Sequence, residues 1–195
     1  MALLGFTVLE RTFDAASDSD ELRAVKDFLR VSHSHDDETL IPVAIFGALE
    51  FCEDVANVAF VDCKIQASYS RIPSTGVELP RTALRSVESV EALTSDGWET
   101  VDAGDWEASP VGTAGAPARV YLKTVPTVED GEGVRFRVTY RAGLVDRIEN
   151  LKGRMRVGMW FAINHFYAHR NEQNPDKTLP RSVIDLVTAR RQPVL

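Results

Sequence analysis

The sequence predicts an α+β fold: a helical core of two N-terminal helices plus a long C-terminal helix, with an antiparallel β-rich insertion and a C-terminal tail. Three observations predict it. Residues 17–61 place apolar side chains at three- and four-residue spacing, residues 62–145 switch to short alternating runs between turn residues, and helical spacing returns from residue 146. The 195 residues suit one domain, since domains run to roughly 100–200 residues. Its parts are a helical core at 17–61 and 146–172, the β insertion at 62–145 and the extension at 173–195.

Met1–Thr12 reads as extended, with Phe6 and Val8 alternating with smaller or polar neighbours. Asp18 with Glu21 three residues on fits a capping box, and Leu22, Val25, Phe28 and Leu29 then form the apolar face of a helix ending near Val31. Ser32–Asp36 is a short polar break. The second helix carries Ile41, Ala44, Ile45, Ala48, Leu49, Cys52, Val55, Ala56 and Ala59 on one stripe. Pro42 is tolerated only in a first turn, so regular helix is expected from about Thr39.

Alternating Ile65, Ala67 and Tyr69 begin the β insertion, and Val87 and Val90 mark a second run. Ser95-Asp96-Gly97 is a hairpin signal. Val120–Leu122 and Val134–Tyr140 are further strands, separated by turn-like Glu129–Gly133; Pro110–Pro117 is a Gly/Ala-rich loop. Ile148, Leu151, Met155, Met159, Ala162 and Phe166 then define one face of a helix ending near Asn171. After the break at Asn174-Pro175, Leu179–Arg191 is expected to form a short helix with Val183, Ile184 and Val187 on one side.

Composition narrows function. Apolar residues are 44% and charged residues 26%, a globular balance. No apolar run approaches the roughly 20 residues of a membrane helix. Ala2–Leu9 lacks preceding basic residues and meets Glu10 and Arg11 at once, so a signal peptide is not expected. Two cysteines, Cys52 and Cys63, suit a reducing compartment. The net charge of −7 argues against a whole-protein nucleic-acid binder. That charge is uneven: residues 1–62 carry a net −9, residues 63–146 a net −3 and residues 147–195 a net +5. An acidic front and a basic back attract one another within a fold, or between copies meeting head to tail.

Candidate chemistry is sparse. His165 and His169 are four apart on a helix, yet Phe166 stands where a zinc-protease motif needs Glu. His33, His35, Asp36 and Asp37 are metal-competent types, but they also lie where a helix start needs capping oxygens. His33, His35, Asp36, His165 and His169 together define the one enzyme alternative, a small metal-dependent hydrolase. Neither cysteine has a CxxC or a neighbouring His. Asp102, Asp105 and Glu107, near Trp98 and Trp106, sit in a turn-rich stretch where acids are commonplace. No catalytic, cofactor-binding or metal residue is therefore assigned, and no cofactor is expected. More telling are Trp160, Phe161 and Tyr167, which point away from the stripe of the third helix; the β block or another chain must cover them.

Three phrases resemble one family, the head–tail connector (adaptor, head-completion) proteins of long-tailed phages and gene transfer agents. The first, Glu21–Glu53, is similar to the family's opening helix ending in K-x-x-L-R, then an acidic pair, L-I and an Ala-rich helix ending in Glu. Its matching positions are Lys26, Leu29, Arg30, Asp36, Asp37, Leu40, Ile41, Ala48 and Glu53. The second, VRFRVTYRAG at Val134–Gly143, resembles a last strand closing in aromatic–x–x–Gly. The third is Ile148–Arg170, where His165, Tyr167 and Arg170 match a helix end and read as structural residues. Leu179–Arg191 resembles the family's C-terminal L-P…L…R segment.

The resemblance implies a structural protein, not an enzyme, in the neck of a virion or phage-like particle and made in the bacterial cytoplasm. It implies a homo-oligomeric ring of about twelve copies beneath the portal protein. That ring extends the DNA channel, lets DNA pass transiently, and offers a platform for the next connector, stopper or tail protein. No membrane partner is implied. Another tail-completion protein is the structural alternative. The C-terminal segment is the expected portal contact, through Leu179, Pro180, Arg181, Val183, Ile184, Leu186, Val187, Arg190 and Arg191. Trp160, Phe161 and Tyr167 are the expected subunit contact, flanked by the complementary charges of front and back. An acidic net charge also suits a conduit that must release phosphate rather than retain it. Truncation after Asn174 is expected to spare the fold and abolish portal docking.

Overall fold

Eight strands and four α-helices occur among the described residues, in the order β1 (Leu3–Arg11), α1 (Asp20–Leu29), α2 (Leu40–Ala56), β2 (Cys63–Tyr69), β3 (Val77–Glu78), β4 (Leu84–Thr94), β5 (Gly97–Thr100), β6 (Trp106–Ser109), β7 (Arg119–Leu122), β8 (Phe136–Ala142), α3 (Gly153–Ala168) and α4 (Arg181–Thr188). The computed structural model describes residues 3–11, 20–31, 39–109, 117–126, 128, 133–170 and 179–188. The class is α+β, as the sequence predicts. The chain forms two compact units: Met1–Arg11 with Val61–Leu144, and Thr12–Phe60 with Val145–Leu195.

The first unit holds all the strands. A five-stranded antiparallel sheet runs β1-β2-β8-β4-β5, and a three-stranded sheet runs β3-β7-β6. The period-2 pattern of β2 buries Cys63, Ile65, Ala67 and Tyr69. Opposite them on β8 stand Ala142, Tyr140, Val138 and Phe136, also buried. The two phenols in this layer keep partners: Tyr140 donates to the Pro80 carbonyl at 2.5 Å and Tyr69 to the Glu78 carbonyl at 2.9 Å. Burial pushes both phenol pKa values upward.

Two strands depart from simple alternation. In β4 Val90 is buried but Val87 is only half-buried, because the register with β8 shifts between Val87 and Ser89. In β1 the register with β2 shifts twice, and Leu4, Phe6 and Leu9 remain exposed on this edge strand. The hairpin forms as expected: Thr94 pairs with Gly97 across Ser95-Asp96, and Gly97 takes φ 113°. Of Pro110–Pro117 and Glu129–Gly133, residues 110–116 and 129–132 lie outside the described residues.

The helical unit is built around α2. Its inner face buries Ile41, Ala44, Ile45, Ala48, Leu49, Cys52 and Ala56, and each large apolar side chain so removed from water contributes about 1.5–3 kcal/mol. Pro42 is the third helical residue, where no intrahelical N–H bond is lost. The stripe ends earlier than Ala59. Asn57, at φ 49°, turns the chain left-handed, and Val58 N–H donates back to Glu53 O, a Schellman closure. Val55 is half-buried, and Ala59 is buried from the extended segment that follows. The same closure ends α1, with Arg30 at φ 55° and Val31 N–H on Lys26 O. Asp18 of the expected capping box lies outside the described residues.

The third helix begins later than its apolar spacing suggests. Ile148–Asn150 is a single 3-10 turn, Lys152 is extended, and α3 starts at Gly153. Ile148 and Leu151 still reach the core, but from irregular chain. The cause is local: Gly153 adopts φ 59°, a conformation incompatible with continuous right-handed helix. α4 lies against α2 and α3. It approaches closely at Gly158, where a Cβ would stand 2.7 Å from Val187 Cγ1. Among the described residues no helix is long and apolar enough to cross a membrane.

Candidate functional site

The polar candidates divide cleanly by environment. His165 is buried and stacks on His169, ring centroids 4.1 Å apart. His169 Nδ1 lies 2.9 Å from the His165 carbonyl oxygen; a carbonyl can only accept, so that nitrogen carries the proton. His33, His35, Asp36 and Asp37 lie outside the described residues. Among the described residues no group of three His, Cys, Asp or Glu side chains stands close enough to hold a metal ion.

Both thiols are buried. Desolvation, with the neighbouring Glu53 charge, pushes the Cys52 pKa up to about 12, so it is protonated and inert at neutral pH. Asp102 and Glu107 are exposed, and Glu107 meets Lys123 at 3.9 Å. The Asp105 backbone closes a turn, its N–H on Asp102 O at 2.9 Å. Asp102 and Asp105 thus bracket a β-turn, and Glu107 lies on the strand that follows it.

One buried acid does organise the β unit. Asp62 receives Arg141, which offers Nη2 and also Nε at 3.4 Å, while Arg85 Nη1 lies 3.6 Å away. Hydrogen bonding to Asp62 raises the Arg141 pKa further. Arg85 Nε also donates to the Gly143 carbonyl at 2.8 Å. This cluster fixes where β8 leaves the sheet.

The C-terminal candidates are partly occupied. Leu179, Val183 and Val187 are buried, Ile184 and Leu186 are half-buried, and Pro180 and Arg181 are exposed. The apolar side of α4 is thus spent inside its own helical unit. Arg190 and Arg191 lie outside the described residues. Truncation after Asn174 would strip three buried side chains from this unit, so it tests packing as well as docking.

The aromatic candidates separate in the same way. Trp160 is buried and meets Phe28 edge-on, centroids 4.9 Å apart. Tyr167 is half-buried under the Arg170 guanidinium, 4.8 Å from its ring centre. Phe161 stays 48% exposed, beside Val157 at 46% and Phe28 at 40%. Phe28, Arg156, Val157, Trp160 and Phe161 line a shallow apolar hollow of about 240 Å³. Three large apolar side chains, Phe28, Val157 and Phe161, are thus exposed together on the helical unit. Phe28 and Val157 were hidden from sequence reasoning, because Phe28 fits the apolar spacing of α1 and Val157 falls off the stripe of α3.

No family model matches the sequence, and no curated protein does. The fold, however, is found almost end to end in chains of solved particle structures. A chain of the virion of the native gene transfer agent (GTA) particle matches with TM-score 0.72 at 14% identity, over 98% of this chain and 97% of that one. A chain of the neck of the empty GTA particle, computed with C6 symmetry, matches with TM-score 0.73 at 15% identity over the same shares. A third, from the neck of the native GTA particle computed with C12 symmetry, gives 0.69 at 15% over 97% of each chain.

Proposed function

We propose that this chain is a non-enzymatic structural protein of the neck of a phage or gene transfer agent particle, acting as a head–tail connector. The observation that carries the reading is the near-complete match of both units, strands and helices alike, to chains from such necks. The resemblance of Glu21–Glu53, Val134–Gly143 and Ile148–Arg170 to connector phrases supports it independently of the fold.

In this reading the chain forms a ring of about twelve copies. The ring sits beneath the portal protein, lines part of the DNA passage and carries the next connector or tail protein. The hollow around Phe28, Val157 and Phe161 lies at the contact between copies. The portal contact falls on the exposed side of the C-terminal segment, at Pro180 and Arg181, and on the residues beyond α4 that include Arg190 and Arg191. Leu179, Val183 and Val187 hold α4 to its own unit.

Particle composition tests this reading. Purified particles are expected to contain the chain in a fixed number of copies, and disruption of its gene is expected to leave filled heads without tails. Normal tailed particles lacking the chain would overturn it.

A further inference from the structure

The outer face of α2 complements the outer face of α3. On α2, Val43 is 67% exposed and Phe46 40%, and Glu50 follows on the same side, also exposed. On α3, exposed Arg154 precedes exposed Val157 and Phe161. One face therefore runs apolar, apolar, acidic; the other runs basic, apolar, apolar. Laid antiparallel, the two sequences of character coincide.

The spacing coincides as well. Val43 to Glu50 and Phe161 to Arg154 each span seven positions, about 10.5 Å at the helical rise. The intermediate residue follows three positions after Val43 on α2 and four before Phe161 on α3, both within one helical face. An antiparallel contact thus sets Val43 against Phe161, Phe46 against Val157 and Glu50 against Arg154 in one register.

We propose that neighbouring copies of this chain meet through α2 of one copy and α3 of the next, antiparallel in that register. The contact rests on the ring reading above and specifies its seam. It is heterologous: each copy uses a different face toward each neighbour, so the arrangement propagates around a ring rather than stopping at a dimer. The charged pair fixes direction and register, and the apolar pairs supply the desolvated centre. Arg156, whose guanidinium lies 5.6 Å from the Trp160 ring centre, adds positive charge beside the seam.

Cysteine cross-linking tests it in assembled particles, because Cys52 and Cys63 are buried and stay silent. Particles carrying Val43→Cys with Phe161→Cys, treated with a short bismaleimide, are expected to yield a ladder of dimers, trimers and higher bands. Each single variant, with one reactive thiol per copy, is expected to stay monomeric. A particle-bound double variant without a ladder would overturn the seam while leaving the neck assignment standing. A dimer band from either single variant would also overturn it, since one reactive thiol per copy can bridge only to its own counterpart, which requires a symmetric contact. Absence of the unsubstituted chain from particles would instead remove the neck reading itself. If the cysteine variants stay out of particles that accept the unsubstituted chain, charge reversal decides. Glu50→Arg and Arg154→Glu should each lose incorporation and recover it together; failure to recover would contradict the pairing.

Discussion

Replacing Gly143 by Ala is expected to destabilise the β unit by about 2–5 kcal/mol, combining backbone strain with overpacking. Gly143 leaves β8 at φ 156°, and a Cβ there would stand 2.6 Å from both N and Cα of Asp62. The obstacle is backbone on both sides, so no side-chain rotation relieves it. Movement would also disturb Asp62, which Arg141 and Arg85 hold from β8 and β4. Urea unfolding of the purified variant measures the effect. A midpoint unchanged from the parent would show that the two segments are not in contact.

The second large effect falls in the helical unit. Glu53 is fully buried, and its Oε1 accepts the Phe60 N–H at 2.8 Å, tying the end of α2 to the extended chain that follows. Glu53→Ala removes the acceptor from a buried N–H and leaves a cavity, a combined cost of about 2–5 kcal/mol. Glu53→Gln keeps a carbonyl oxygen in the same place and is expected to cost much less. Thermal and urea unfolding of both variants check the order. Equal, small losses would mean that the carboxylate does not brace this turn.

Both residues were visible in the sequence, as the Glu that closes an Ala-rich helix and the Gly that closes a strand. Their physical reasons were not. That Glu53 turns inward to cap Phe60 depends on Asn57 reversing the chain, and nothing in the spacing of α2 announces that reversal. That Gly143 is forced by Asp62 depends on a neighbour 81 positions away in sequence. The stripe of α2 and the Ser95–Gly97 hairpin were legible because a single local period or turn specifies them. The start of α3 was not: Ile148 and Leu151 continue the apolar spacing even where Gly153 interrupts the helix. β3 and β6 are too short for a period to emerge.

The candidate surface was legible in outline only. Surplus aromatics on the third helix marked it, yet the structure buries Trp160 and half-buries Tyr167, leaving Phe161 to be joined by Phe28 and Val157. Amphipathic spacing reports which side chains fit a stripe, not how far the neighbouring helix reaches. The outer face of α2 escaped attention for the same reason: Val43 and Phe46 lie in an almost uniformly apolar helix, where exposure depends on what packs nearby.

Native mass spectrometry of the purified chain, alone and mixed with the portal protein of its own particle, tests the connector reading most directly. The account predicts a complex holding about one copy of this chain per portal subunit, as a docked ring requires. A chain that stays monomeric and ignores the portal at every concentration would contradict it.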